Sequence, residues 1–253
     1  MSETLQRYGN VLHVDQDDLA RIEHGLSFEG PGVARISGVL DEPFRQRLLT
    51  EINDESIVHW RDAGGTYTNA RGLEIIQNHD VFALKLSDGD PAPVEAAPLM
   101  RQMAGQTEQF VQSLGASYPS LAAWQADEMS YHRYYNKDVG LSFHRDNMRF
   151  PGLIVVIAID GECDFQVIDR EPICDGGGNI VDWRWHSTYT IPTKPGDLVL
   201  TRAPGLLPDM NPEDRPEHAV VNGRVLPRVS FMLRANKRPQ DTGYGFEYHN
   251  WPN

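Results

Sequence analysis

Leu153-Ile-Val-Val-Ile-Ala-Ile159 is the longest apolar run in the chain, and its reading decides the fold. It falls far short of the ~20 residues that cross a bilayer. A short apolar run bounded by turn-forming residues predicts a buried β-strand. Working outward, runs of the same β-type texture occupy 129–135, 141–144, 164–168, 188–193, 198–201, 218–221 and 228–233, separated by Gly, Pro, Asn and Asp. The dipeptide Gly196-Asp197 turns the chain into Leu198-Val-Leu200, and Gly176-Gly-Gly178 reads as a loop. Eight short strands in succession predict a jelly roll or barrel.

Before residue 128 the texture is different. The stretch 32–40 alternates like a half-buried strand, and Asp41-Glu-Pro-Phe44 reads as a helix start, with Asp41 capping free amides and Pro43 in the first turn. That helix is expected to run to about Asn53. Residues 61–78 form a Gly-, Thr- and Asn-rich segment around Arg71, and 99–114 repeats apolar residues at helical spacing. The expectation is one domain over 1–253: a helical N-terminal half packed on a barrel from about 128 to 236. The 36 acidic and 23 basic residues give a formal charge of -13. A field of that sign disfavours nucleic acid and anionic membranes as partners. Two cysteines, Cys163 and Cys174, and no apolar leader point to a cytoplasmic protein without disulfides.

The chemistry is carried by a few residues within the β-rich part. In a strand, His144-Arg-Asp146 puts two side chains on one face, so both can touch one metal ion. His218 opens a later strand and supplies a third ligand. Two neutral imidazoles and one carboxylate make the facial triad of non-haem Fe(II) oxygenases and leave half an octahedron open. The tripeptide alone is weak, since this composition yields roughly one such pair by chance; His13-Val-Asp15 is one, and is read as a helix-capping segment. Ten residues after His218 comes Arg228-Val-Ser230, where alternation again pairs a guanidinium with a hydroxyl, a natural grip for a carboxylate.

This order of His-x-Asp, a distant His, and Arg-x-Ser resembles the Fe(II)/2-oxoglutarate dioxygenase superfamily, over roughly residues 128–236. The resemblance implies a double-stranded β-helix, the cupin-like jelly roll of eight strands flanked by helices. It implies Fe(II), 2-oxoglutarate and O2 as cofactor and co-substrates, with His144, Asp146 and His218 on the metal. Arg228, Ser230 and Tyr134 would then hold 2-oxoglutarate. Relatives that transfer chlorine lack the triad carboxylate; Asp146 occupies that place, which implies hydroxylation of a C–H bond with release of succinate and CO2. The strand before the triad would reach the substrate with Glu128 and His132, if these share a face with Ser130 and Tyr134.

The layout loosely resembles bacterial free-amino-acid hydroxylases related to lysine halogenases. A free amino acid or related small polar metabolite is therefore the expected substrate, with Glu128 for its ammonium and Arg71 for its carboxylate. Trp251 and Tyr248 are read as closing the pocket or packing on the barrel. Arg145 reads as a surface or salt-bridge residue, and His59, His79, His186 and His249 as ordinary. Two alternatives stay open. Arg228 and Arg234, with five residues between them, also occur in oxidative nucleic-acid demethylases, though the acidic charge and the lack of a basic aromatic stripe oppose that. A non-catalytic barrel holding zinc would need no Arg228 and Ser230 clamp.

Overall fold

The computed structural model describes residues 6–68, 73–85, 97–177, 180–210 and 214–236. Its strands are β1 (Gln6–Tyr8), β2 (Leu12–Val14), β3 (Val33–Ile36), β4 (Arg61–Asp62), β5 (Gly65–Thr68), β6 (Glu74–Gln77), β7 (His79–Lys85), β8 (Glu128–Tyr134), β9 (Val139–His144), β10 (Leu153–Cys174), β11 (Ile180–Thr193), β12 (Leu198–Arg202) and β13 (Glu217–Arg234). Three helices accompany them: α1 (Gln16–Leu26), α2 (Glu42–Ile52) and α3 (Pro98–Ser113).

All strand pairs are antiparallel, and two layers share the long strands β10 and β13. One layer runs β3-β12-β10-β13-β8-β7-β4; the other joins β6, β9, the start of β13, the middle of β10 and β11. This is the jelly roll expected from the β-rich half. The eight short runs appear as six strands, because 153–159 with 164–168, and 218–221 with 228–233, are each one strand that crosses both layers. The bend lies near Gly161, where the β10 and β13 register shifts repeatedly between Ala158 and Asp164. Gly161 has φ +70°, and a Cβ there would stand 2.5 Å from the Val225 carbonyl oxygen, so only glycine fits this crossing.

Both faces of Leu153–Ile159 are covered, which is why the run shows no alternation. Leu153, Val155, Ile157 and Ile159 pack with Phe44, Leu48, Met100 and Phe110 of the helices, whereas Ile154 joins Phe150 and Ala203 on the inner side. A second inner cluster, Phe165, Val167, Val199 and Val220 with Tyr134, fills one end of the barrel.

The helix starts follow local chemistry. Asp15 and Asp18 exchange side-chain and amide bonds in a capping box for α1, two residues after His13. Asp41 accepts from the Phe44 amide at 2.9 Å, with Pro43 in the first turn of α2, and that helix ends at Ile52. The segment 61–78, in which the sequence announced no strand, supplies β4, β5 and β6. β5 is exposed throughout, so it carries no apolar alternation to announce it.

Candidate metal and co-substrate site

β9 and β13 are paired so that His144 lies opposite His218. The imidazole centroids are 4.4 Å apart, and the potential ligand atoms of His144, Asp146 and His218 all fall within 4.8 Å of one another. His144 Nδ1 is 2.9 Å from the Ser142 carbonyl, and His218 Nδ1 is 3.2 Å from that of Pro216. A carbonyl only accepts, so each Nδ1 carries the proton and each Nε2 keeps its lone pair. Those Nε2 atoms stand 3.9 Å (His144) and 3.3 Å (His218) from the Asp146 carboxylate. Burial, then the neighbouring His144, lowers the His218 pKa to about 4. Burial pushes the Asp146 carboxyl up, but His218, His144, Arg234 and Arg215 outweigh it and hold the group below its ordinary value. Two imidazoles presenting Nε2 and an ionised carboxylate converging on one point fit a divalent metal.

Strand alternation does not place Asp146, contrary to the sequence expectation: β9 ends at His144, and Asp146 follows in the loop. Its main-chain carbonyl accepts from the Arg215 guanidinium instead. Arg145 is engaged as well, through Nε to the Arg215 carbonyl and with Glu217 at 3.9 Å.

Arg228 and Ser230, the expected carboxylate clamp, lie farther along β13. Arg228 is 1% exposed, yet its Nε has no hydrogen-bond partner and no carboxylate pairs with it among the described residues. Its Nη1 reaches only Ser230 Oγ, at 3.4 Å, and its guanidinium lies 5.2 Å from the Tyr134 ring centroid. A buried, unpaired guanidinium is costly unless an anion completes it. Burial pushes the Tyr134 hydroxyl up to about 12, keeping it a proton donor beside that cation.

The overall arrangement has counterparts among solved structures. The chain is similar to a Pseudomonas putida prolyl-4-hydroxylase, at 14% identity and a TM-score of 0.51, over 87% of this chain and 99% of that one. It is similar to a Trichoplax adhaerens prolyl hydroxylase in complex with a hypoxia inducible factor peptide fragment, at 10% identity and a TM-score of 0.55, over 90% and 93%. A rice dioxygenase for auxin oxidation matches at 16% identity and a TM-score of 0.50, over 89% and 79%. The jelly roll is the fold of these oxygenases. No protein-family model matches the chain, and no curated protein does.

In this jelly roll the β8 register decides which side chains line the interior. Arg228 pairs with Tyr134, Ser230 with His132, Met232 with Ser130 and Arg234 with Glu128. Glu128, Ser130, His132 and Tyr134 therefore share the face of Arg228 and Ser230, while Met129, Tyr131, Phe231 and Leu233 pack against the helices. His132 Nε2 lies 2.9 Å from Ser130 Oγ, and burial drives its pKa well below the ordinary histidine value. Glu128 is already engaged: Arg234 Nε donates to it at 2.8 Å and Asn236 Nδ2 at 3.0 Å. Any ammonium would therefore meet an ion pair rather than a bare carboxylate. Arg234 also lies 3.8 Å from the Phe150 ring centroid.

Sequence reasoning passed over His79. It pairs with Tyr134 across β7 and β8, is 6% exposed, and stacks near His132 and Tyr134 at 4.9 and 5.1 Å. Its Nδ1 is buried without a partner among the described residues, and burial lowers its pKa to about 4. Burial, then the Asp146 charge, raises the pKa of Tyr67 on β5, a residue the sequence did not single out. Arg71, Trp251, Tyr248 and His249 lie outside the described residues. A surface cavity of about 460 Å³ lies against Val58, Trp60 and Arg133. Arg133 alternates with His132 and Tyr134 on β8, so that cavity belongs to the opposite face.

Proposed function

We propose that the protein is an Fe(II)- and 2-oxoglutarate-dependent dioxygenase that hydroxylates an unactivated C–H bond of a free amino acid or related small polar metabolite. The reading is carried by one observation: three converging ligand groups and an unpaired buried Arg228 share the barrel formed by β8, β9 and β13. His144, Asp146 and His218 would hold iron, which would supply oxygen activation coupled to decarboxylation of the 2-oxo acid. Arg228 and Ser230 offer the distal carboxylate charge-assisted bonds, and Tyr134 adds a protonated hydroxyl. Phe165 stacks on His218 with centroids 5.0 Å apart, holding that ligand and helping exclude water. The inner row of His132, Glu128 and Arg234 provides polar contacts of both signs for a small substrate, which favours an amphoteric one.

The test is succinate formation by anaerobically iron-loaded protein given 2-oxoglutarate and then oxygen, with pooled free amino acids or methylated oligonucleotides. Stimulation by an amino-acid pool is expected; stimulation by oligonucleotides alone would overturn the substrate class. His144→Ala or His218→Ala should abolish metal uptake and turnover together. Arg228→Ala should raise the 2-oxoglutarate requirement by roughly 10–100-fold, the value of one or two lost charge-assisted bonds.

A further inference from the structure

The pairing of His144 with His218 fixes two ligands relative to each other but leaves the third free. Asp146 lies past the end of β9, and the segment before β13, Asp214-Arg-Pro216, has no ladder bonds of its own. Two segments outside the β-ladder must nevertheless hold Asp146 about one hydrogen-bond length from His218.

Arginines take up the exposed main-chain carbonyls. Arg145 Nε donates to the Arg215 carbonyl at 3.1 Å, and the Arg215 guanidinium donates back to the carbonyl of Asp146. Arg145 also reaches to 3.9 Å from Glu217, which is 2% exposed and adjoins His218. From the other side, Arg202 donates to the Asp214 carbonyl at 3.1 Å and to those of Leu26 and Ser27, tying this segment to the end of α1.

We infer that Arg145 and Arg215 form a reciprocal clasp that sets the separation of Asp146 from His218, making both positioning residues for the metal. This rests on the metal-centre reading above. Each guanidinium crosses between the two ligand-bearing segments in the opposite direction, and the separation is set only while both bonds are in place. Neither side chain touches the metal; each acts through the backbone that carries a ligand, and groups of this kind alter affinity by roughly 10–100-fold when removed.

The experiment is a Co2+ titration of the full-length protein, followed by the visible bands that report ligand geometry. It compares wild type, Arg145→Ala, Arg215→Ala, the double variant and a control, Arg21→Ala, whose side chain is 61% exposed and pairs with Asp18 on α1. Each single clasp variant is expected to bind Co2+ about 10–100-fold more weakly with altered bands, and the control to match wild type. The double variant should lose little more than the weaker-binding single, because both bonds belong to one unit. Where an Ala variant does not fold, Arg145→Lys and Arg215→Lys carry the same expectation, since they keep the charge and lose the planar fork. Wild-type affinity and bands in both single variants would overturn the clasp while leaving the metal centre intact, and fully additive losses would overturn its reciprocity. Failure of the wild type to bind Co2+ would overturn the metal centre and the clasp together.

Discussion

His144 and His218 meet the same requirement in the same way, each donating Nδ1–H to the carbonyl two residues behind it and presenting Nε2 forward. Those bonds are local, so residue type and order made both candidate ligands legible in the sequence. Arg228 and Ser230 were legible too, because β13 is regular where they lie. His79 was not, since its role depends on pairing with Tyr134, and nothing near it in sequence announces that register. Glu128 was legible as an inward acid but not as one already bound by Arg234 and Asn236. Removing it leaves a largely buried guanidinium unpaired. Glu128→Ala should therefore destabilise the protein by about 3 kcal/mol, read as a lower denaturant midpoint; an unchanged midpoint would show that Arg234 finds water or another partner.

At the scale of elements, α3 poses a problem its own sequence does not solve. It begins after Ala97, at φ 49°, with no side-chain cap. Glu51, at the end of α2, accepts from the amides of Leu99 at 2.7 Å and Met100 at 3.0 Å, and from the Tyr131 hydroxyl at 3.2 Å. The cap arrives from another helix, which is why sequence reading found α3 but not what starts it, whereas α2 announces itself through Asp41. Glu51→Ala orphans three donors, two of them buried, and should cost about 2–4 kcal/mol by equilibrium unfolding. Glu51→Gln, which keeps an acceptor, should cost less, and equal losses would count against the cap. Asp197 plays a comparable part for β3 and β12, accepting from Arg35, from the Gly38 amide and from the Lys194 amide. The long strands were the least legible elements, because a bend with shifting register reads locally as two strands and a turn.

For the molecule as a whole, the interior carries histidines that burial keeps neutral. His79 and His218 have folded pKa values of about 4, against an ordinary 6.5. The unfolded chain therefore binds protons that the folded chain refuses. The contribution of each is intact above pH 6.5 and is lost progressively as the pH falls towards 4, on the order of 3 kcal/mol apiece if fully expressed. Metal-free protein should show a urea midpoint that falls steeply between pH 6.5 and 4, with a shallower slope in His79→Leu. A midpoint flat across that window would mean that these rings are hydrated.

The central claim is that one barrel brings a metal centre and an anion clamp within the reach of a single 2-oxo acid. It is tested most directly by titrating iron-loaded protein with 2-oxoglutarate under anaerobic conditions and following the visible charge-transfer absorption that appears only when the 2-oxo acid chelates Fe(II). A saturable band in the wild type, shifted to higher 2-oxoglutarate concentration in Arg228→Ala and absent in His218→Ala, is the predicted result. Absence of the band in wild-type protein that has bound iron, or saturation indifferent to Arg228, would contradict it.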